Sequence, residues 1–242
     1  TIFIGNFSNE MVGVYSYSDK GWFNDRAAIS KVGRPSFPSL TFGLVLFDVD
    51  MDSDLDLFIG NGHVYPVRTK NQDGINYKQV SQLFLNNGDG AFSIANEKIT
   101  GIINNKMVVR GVAIGDYDKD GDQDLLLTEN NGPAHLWRND SESKNYLRVN
   151  LLGVKSNKDG IGSKVLLYIN ENKIERLIRT GSSYLSQSEK TATFGLGDHD
   201  MIDSLSIYWP SGKKETYFDI EINKEILIKE GFGEIELSNK IK

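Results

Sequence analysis

The sequence predicts an all-β protein in which part of a β-propeller is followed by a C-terminal β-sandwich-like domain. Two observations carry this prediction. An acidic loop between two apolar runs occurs twice, and turns rich in Gly and Asp separate short apolar segments along the chain. No long segment shows a convincing helical period of apolar residues. With 242 residues, the chain is long enough for two domains of ordinary size or one large all-β domain.

The acidic loop at residues 116–124 is the most informative element, because every second residue in it is an aspartate. Apolar runs with the composition of strands flank the loop on both sides. Five carboxylates within nine residues repel each other unless a cation compensates them, and a hard cation with oxygen ligands does so best. Gly121 stands where an EF-hand-type loop turns with positive φ, but the twelfth position is Leu127 and not glutamate. The loop predicts a calcium site in a β-protein, with the candidate ligands Asp116, Asp118, Asp120, Asp122 and Asp124.

A second copy of this loop occupies residues 48–56, so that residue 48 corresponds to residue 116. Its candidate ligands are Asp48, Asp50, Asp52, Asp54 and Asp56, and the sequence therefore predicts two calcium ions per chain. The turn position of this copy is Ser53 instead of glycine. A non-glycine residue in the left-handed conformation costs about 1 kcal/mol. We therefore predict that the first loop binds calcium more weakly than the second.

Alignment on the two loops predicts propeller blades over residues 1–140. Each full unit consists of a strand, an acidic loop, a strand, a turn, a strand, a Gly/Asp turn and a further strand, which is the pattern of one four-stranded blade. The chain then holds the tail of one blade (1–30), a complete blade (42–100) and the start of another (111–140). A closed ring has typically 4–8 blades. We therefore expect the chain to be part of a longer protein, with further blades or subunits packing on residues 1–30.

The composition changes at a polar linker, residues 139–144, and the repeat pattern stops there. Beyond the linker, short apolar segments alternate with glycine-rich turns, which is typical of a small β-sandwich or barrel. We assign this domain to residues 145–232 and a C-terminal tail to residues 233–242. The predicted strands are 146–152, 164–169, 173–179, 191–196, 204–209 and 225–229.

Two surface segments are candidates for ligand binding. The insertion at residues 62–78 is too long for a turn between blade strands, and it carries His63 and Tyr65. The segment 181–187 carries Tyr184 and Gln187, which are suited to stacking on sugars and to hydrogen bonding with them. The alternative for this second segment is a tight turn that Tyr184 attaches to the sandwich core.

Composition excludes several classes of protein. The net charge is −6, and no basic stripe supports nucleic-acid binding. No run of 18 apolar residues predicts a membrane span, and the absence of cysteine excludes disulfides and thiolate metal sites. The sequence has no nucleophile elbow, no zinc-protease motif and no phosphate-binding loop. We therefore predict no catalytic residue and favour a protein that is not an enzyme.

Several motifs resemble known families. The acidic loops, each followed by Asp-Leu and further apolar residues, resemble FG-GAP/VCBS repeats, the blades of integrin-α-like propellers. The motifs after them occur in the order expected of an ASPIC/UnbV domain, and the whole resembles the C-terminal part of cartilage-acidic-protein-like bacterial proteins. These motifs are Trp137-Arg138-Asn139, Gly160-Ile161-Gly162, residues 181–187, Phe194-Gly195-Leu196-Gly197 and Trp209-Pro210-Ser211-Gly212.

The resemblance implies a secreted, periplasmic or cell-surface protein that binds calcium structurally and serves in adhesion or ligand binding. We therefore expect a calcium-stabilised extracellular module that recognises a glycan or an extracellular protein. Two alternatives remain at this point. One is a polysaccharide-active enzyme with its site in blades outside this chain or on the 62–78 insertion. The other is a structural component of a larger extracellular assembly.

Overall fold

The computed structural model describes residues 1–66, 76–95, 103–142 and 144–238. Within these ranges the regular secondary structure is almost entirely short β-strands, and the one helix has four residues. The all-β prediction is confirmed. The first part of the chain contains β1 Ile2–Ile4, β2 Gly13–Tyr17, β3 Phe23–Asp25, α1 Gly33–Ser36, β4 Thr41–Phe47, β5 Asp56–Asn61, β6 Gln79–Val80, β7 Gln82–Asn86, β8 Phe92–Ile94, β9 Lys106–Met107, β10 Val109–Gly115, β11 Asp124–Glu129 and β12 Ala134–Trp137. The second part contains β13 Asn145–Leu152, β14 Lys164–Ile169, β15 Asn172–Leu177, β16 Ala192–Gly197, β17 Ser204–Tyr208, β18 Lys214–Tyr217, β19 Lys224–Lys229 and β20 Ile235–Leu237.

Three antiparallel sheets form the propeller part, and they match the blade pattern of the sequence. The order β1-β2-β3 is the tail of a blade, β4-β5-β7-β8 is a complete blade, and β10-β11-β12 is the start of a third. Each acidic loop connects the first two strands of its blade, β4 to β5 and β10 to β11. A short ribbon of β6 and β9, which the sequence pattern does not predict, lies outside these sheets.

The complete blade is buried on both faces, because neighbouring blades cover it on each side. Alternate side chains of a strand point to opposite faces. Leu57 and Ile59 of β5 therefore pack in the core shared with the first blade, whereas Phe58 packs in the core shared with the third. The third blade approaches so closely that a Cβ added to Gly43 would lie 2.2 Å from Cγ2 of Val112. This burial explains why the blade strands are continuous apolar runs.

The C-terminal domain is a sandwich of two four-stranded sheets, with the orders β16-β13-β19-β20 and β15-β14-β17-β18. One hydrophobic core lies between them, and it includes the large buried side chains of Phe194 and Trp209. The pairing of β13 with β19 is parallel, whereas the other pairs in these two sheets are antiparallel.

All six strands predicted for this domain are present within one or two residues of their predicted bounds. The sequence pattern missed β18 and β20. The tail expected from residue 233 contributes Ile235–Leu237 to the sheet, where this segment pairs with β19 as an edge strand. The strand has only three residues and all of them are exposed, so it is too short for an alternation of apolar and polar residues to predict it.

Candidate metal centres at the junction of the two domains

The first acidic loop brings three of its five aspartates together. Carboxylate oxygens of Asp48, Asp50 and Asp56 lie within 4.8 Å of one another, close enough to coordinate one ion. Backbone amides orient the two outer carboxylates. Asp48 accepts hydrogen bonds from the amides of residues 52 and 53 at 3.0 and 2.9 Å. Asp56 accepts them from the amides of Val49 and Asn86 at 2.9 and 2.7 Å. The loop is therefore wrapped around its own carboxylates.

The second loop repeats this arrangement with a different set of three. Oxygens of Asp116, Asp118 and Asp120 lie within 4.8 Å of one another. Asp116 accepts the amides of residues 119 and 121, and Asp124 accepts the amides of Tyr117 and Asn139. In both loops, the first and the last aspartate thus accept hydrogen bonds from backbone amides. Asp124 belongs to the strand end in the same way as Asp56, but it lies outside the group of three.

Four of the ten predicted ligands therefore lie outside the two tightest groups: Asp52, Asp54, Asp122 and Asp124. Among them, Asp122 has an oxygen, Oδ1, that is buried without a hydrogen-bond partner. Oδ1 of Asp50 in the first loop is in the same state. A buried carboxylate oxygen without a donor is energetically unfavourable, and a bound cation satisfies it. Each loop thus holds one oxygen whose environment fits a cation ligand.

The electrostatics of both loops favour a cation as well. Burial raises the pKa of Asp48 to about 7 and, in the same loop, the pKa of Asp56 to about 7. Burial, reinforced by the neighbouring aspartates, raises the pKa of Asp122 to about 8. These shifts measure how unfavourable the ionised carboxylates are without a counter-charge. A donor set of hard carboxylate oxygens fits Ca²⁺, and it does not fit soft or borderline metals.

Both turn positions have the positive φ that the loop pattern predicts. Gly121 has φ +107°, and Ser53, at the equivalent position of the first loop, has φ +86°. Ser53 therefore adopts a backbone conformation that favours glycine. The structure adds contacts that the sequence does not reveal, since the hydroxyl of Ser53 donates to the carbonyl oxygen of Gly195 at 2.6 Å.

The C-terminal domain covers both acidic loops, and each loop receives one arginine from it. Arg176 of β15 approaches Oδ2 of Asp48 with Nη2 at 3.7 Å. Arg148 of β13 approaches Oδ2 of Asp116 with Nε at 3.2 Å. Each arginine thus faces the first aspartate of a loop. Sequence reasoning missed both residues, because they lie far along the chain from the loops and look like ordinary polar strand residues.

Arg148 is the centre of a buried charge cluster, with only 3% of its side chain exposed. It donates to Glu189 through both Nη atoms at 3.0 and 2.7 Å, and its Nε lies 3.2 Å from Glu225. It also donates to the hydroxyl of Thr193 at 2.8 Å. Together with Asp116, three carboxylates surround this one guanidinium. Burial lowers the pKa of Arg148, but the carboxylates of Glu189, Asp116 and Glu225 together raise it above its usual range, so that the guanidinium stays charged.

The predicted ligand residues on the insertion have different surroundings from those expected. His63 is 1% exposed, and its Nδ1 accepts the amide of Tyr65 at 3.2 Å. Its carbonyl oxygen accepts a hydrogen bond from Arg110. The His63 ring is therefore buried, and its role in ligand binding stays a prediction. Tyr65 is 61% exposed, and residues 67–75 of the insertion lie outside the described residues.

The segment 181–187 connects the C-terminal domain to the blades. The ring of Tyr184 packs edge-on against Phe42 of β4 at 4.9 Å between centroids. The hydroxyl of Ser183 accepts the amide of Leu44 at 3.1 Å. Tyr184 is therefore attached to a blade. The alternative expectation, in which Tyr184 attaches the segment to the sandwich core, does not describe this contact. Gln187 is exposed in the same segment. The predicted ligand residues therefore lie on two separate segments, with Tyr184 and Gln187 on one and His63 and Tyr65 on the other.

Comparison with known proteins agrees with this architecture. Residues 71–127 match the family model of the FG-GAP-like repeat, and residues 153–235 match the model named ASPIC and UnbV. The chain thus contains a segment similar to the FG-GAP-like repeat, followed by a segment similar to the ASPIC and UnbV family. The second acidic loop lies inside the first match.

The chain is similar to Cartilage acidic protein 1 from several animals. It is 37% identical to the mouse protein over 111 residues, 37% identical to the Xenopus tropicalis protein over 108 residues, and 36% identical to the human protein over 111 residues. Each match covers 43% of this chain and 16% of the relative. In the described part of the chain, no helix has the length and apolar character needed to span a membrane.

Proposed function

We propose that this chain is a calcium-stabilised binding module of an extracellular or cell-surface protein. The observation that carries the proposal is the convergence of carboxylates in two equivalent loops, each with one buried oxygen that has no protein donor. Calcium neutralises these carboxylates and holds the first two strands of each blade together. We assign this ion a structural role, because the converging carboxylates come from the loop that joins these two strands.

The extracellular assignment rests on ion supply and on the relatives. Loops of this kind fill where calcium is abundant, and extracellular calcium modules work at dissociation constants of about 10⁻⁴ to 10⁻³ M. The similarity to Cartilage acidic protein 1 and the FG-GAP-like repeat support the same setting.

Calcium titration tests the proposal. We expect isothermal calorimetry on chelator-treated protein to show two calcium ions per chain. Asp50→Asn and Asp118→Asn should each remove one of them, because each change neutralises one carboxylate within a group of three. Asp159→Asn is the matched control, since this exposed aspartate pairs with Lys190 in the C-terminal domain. Protein that binds no calcium at millimolar concentration contradicts the proposal.

A polar groove of about 540 Å³ is the best candidate site for the partner, which we propose to be a glycan or an extracellular protein. It lies between the first acidic loop and the β14–β15 hairpin, and Asp52, Asp54, Lys173 and His199 line it. Clefts between domains are frequent ligand sites, and groups of both charges suit hydrogen-bonding ligands.

Binding arrays in the presence of calcium test the groove. We expect the wild-type chain to bind ligands on a glycan array or on an array of extracellular proteins. The Lys173→Glu variant should lose this binding through charge repulsion or lost hydrogen bonds. Lys214→Glu should keep this binding, because this lysine lies on β18, away from the groove residues. Equal binding of both variants to every ligand contradicts the assignment of the groove.

A further inference from the structure

We propose that the C-terminal domain positions the first acidic loop for calcium, so that calcium binding to this loop and docking of the domain stabilise each other. Ser53 is the positioning residue through which the domain acts. The proposal rests on the calcium function proposed above and assigns a regulatory partner, within the same chain, to one of its two sites.

The contacts between the domain and the loop concentrate on the segment Met51–Ser53. The Ser53 hydroxyl donates to the carbonyl oxygen of Gly195 at 2.6 Å, and the Ser53 carbonyl accepts Nη2 of Arg176 at 3.0 Å. The amide of Gly197 donates to the carbonyl oxygen of Met51 at 2.9 Å. The C-terminal domain therefore holds the backbone on both sides of the loop's tip.

The same segment is the part of the loop that most needs support. Met51 and Ser53 have φ values of +58° and +86°, and neither is a glycine. A left-handed conformation is unfavourable for residues with a Cβ, and it persists where the surroundings determine it. Here the hydrogen bonds with β15 and β16 hold Met51 and Ser53 in this conformation. The loop conformation that brings its carboxylates together thus depends on a docked C-terminal domain.

The domain also touches a metal-ligand candidate directly. The amide of Gly195 donates to Oδ2 of Asp48 at 3.2 Å, the oxygen that Arg176 also faces. A Cβ added to Gly195 would lie 2.5 Å from the backbone of Met51 and 2.6 Å from this oxygen, so only glycine permits the approach. The orientation of the first carboxylate is therefore set from the other domain.

The second loop uses a different solution at its turn. Gly121 adopts positive φ without a Cβ, and the ring of Tyr146 packs on it so closely that a Cβ there would lie 2.2 Å from the ring. The turn of this loop needs no hydroxyl from its own residue. A change at Ser53 should therefore affect the first site alone.

The test uses Ser53→Ala, which removes the hydroxyl donor but keeps the unfavourable φ. We expect calcium affinity at the first loop to fall roughly fivefold to tenfold, as for the loss of one hydrogen bond. Titration in an Asp118→Asn background isolates this loop. Ser53→Gly, which also loses the hydroxyl but relieves the backbone, should lie closer to wild type. Ser93→Ala, whose exposed hydroxyl bonds Asn87 within a blade hairpin, is the matched control and should leave the affinity unchanged.

If calcium binding and docking of the C-terminal domain are coupled, calcium must also stabilise the docked domain. Hydrogen exchange of the domain measures this, and an effect confined to the loop would not change it. Calcium should slow hydrogen exchange of the Gly195 and Gly197 amides in the Asp118→Asn background, and Ser53→Ala should reduce this protection. If Ser53→Ala and its parent bind calcium with the same affinity, the coupling is wrong while the calcium function stands. If the wild-type chain binds no calcium at all, the proposed function itself fails, and the two outcomes are distinct.

Discussion

Replacement of Arg148 by methionine should lower the free energy of unfolding by about 3–5 kcal/mol, the cost of breaking a buried charge network from one side. Methionine approximates the length of the arginine stem but leaves three carboxylates without their common cation. Two of them, Glu189 and Glu225, belong to the C-terminal domain, and the third, Asp116, belongs to the second acidic loop. The loss should therefore weaken the sandwich sheet and the docking of the two domains together.

Arg138→Met is the matched control for this experiment. Arg138 forms an ion pair with Asp140 at 2.6 Å, but 54% of its side chain is exposed. Exposed pairs contribute about 0–1 kcal/mol, so this variant should unfold close to wild type in urea. Equal midpoints for the two arginine variants would show that the buried cluster around Arg148 contributes nothing particular to stability.

Chelation of calcium should lower the melting temperature at pH 8 by about 10–20 °C. Two sites filled at a hundredfold excess over Kd stabilise the folded chain by about 5 kcal/mol in total. For a chain of this size, 1 kcal/mol corresponds to about 2–4 °C. Scanning calorimetry with calcium and with a chelator measures the difference directly.

The difference between the melting temperatures with calcium and with a chelator should increase as the pH rises. In the metal-free protein, burial raises the pKa of Asp48 and Asp56 to about 7 and that of Asp122 to about 8. An unfolded aspartate has a pKa of about 3.9. The folded state therefore binds more protons, and metal-free stability falls as the pH rises from about 4 to about 8.

Calcium requires the ionised carboxylates, so its affinity should rise over the same interval and binding near pH 6 should release protons. The gap between the two melting temperatures should thus be larger at pH 8 than at pH 5.5. A gap that is constant across this range would show that the buried aspartates do not take part in binding.

The propeller part could be predicted from sequence because its determinants are local. The alternating aspartates of each loop, the apolar strands beside them and the Gly/Asp hairpin turns all lie within one blade of the chain. Burial of the complete blade on both faces makes its strands continuous apolar runs. Local spacing was therefore sufficient to predict the blade-type strands around each acidic loop and the left-handed turn at Ser53.

The junction of the two domains could not be predicted in this way. Arg176 and Ser53 are separated by more than a hundred residues, and nothing near either of them marks the contact. Ser53 looked like a defect of the first loop because only its backbone preference was visible. The burial of His63, which begins a long insertion, was equally invisible, because it depends on backbone hydrogen bonds with Arg110 and Tyr77.

The parallel pairing of β13 with β19 has a consequence for the order of events during synthesis. β13 is the first strand after the linker, but its partner along Leu147–Leu152 is residues 224–229, which leave the ribosome about 77 residues later. Until residues 224–229 are made, β13, which carries Arg148, lacks its neighbouring strand β19, and the core of the sandwich cannot close. The strands on either side of each acidic loop can therefore pair while the loops still await the arginines of the C-terminal domain. During that interval, dissolved cations can supply the counter-charge that Arg148 and Arg176 provide in the folded chain.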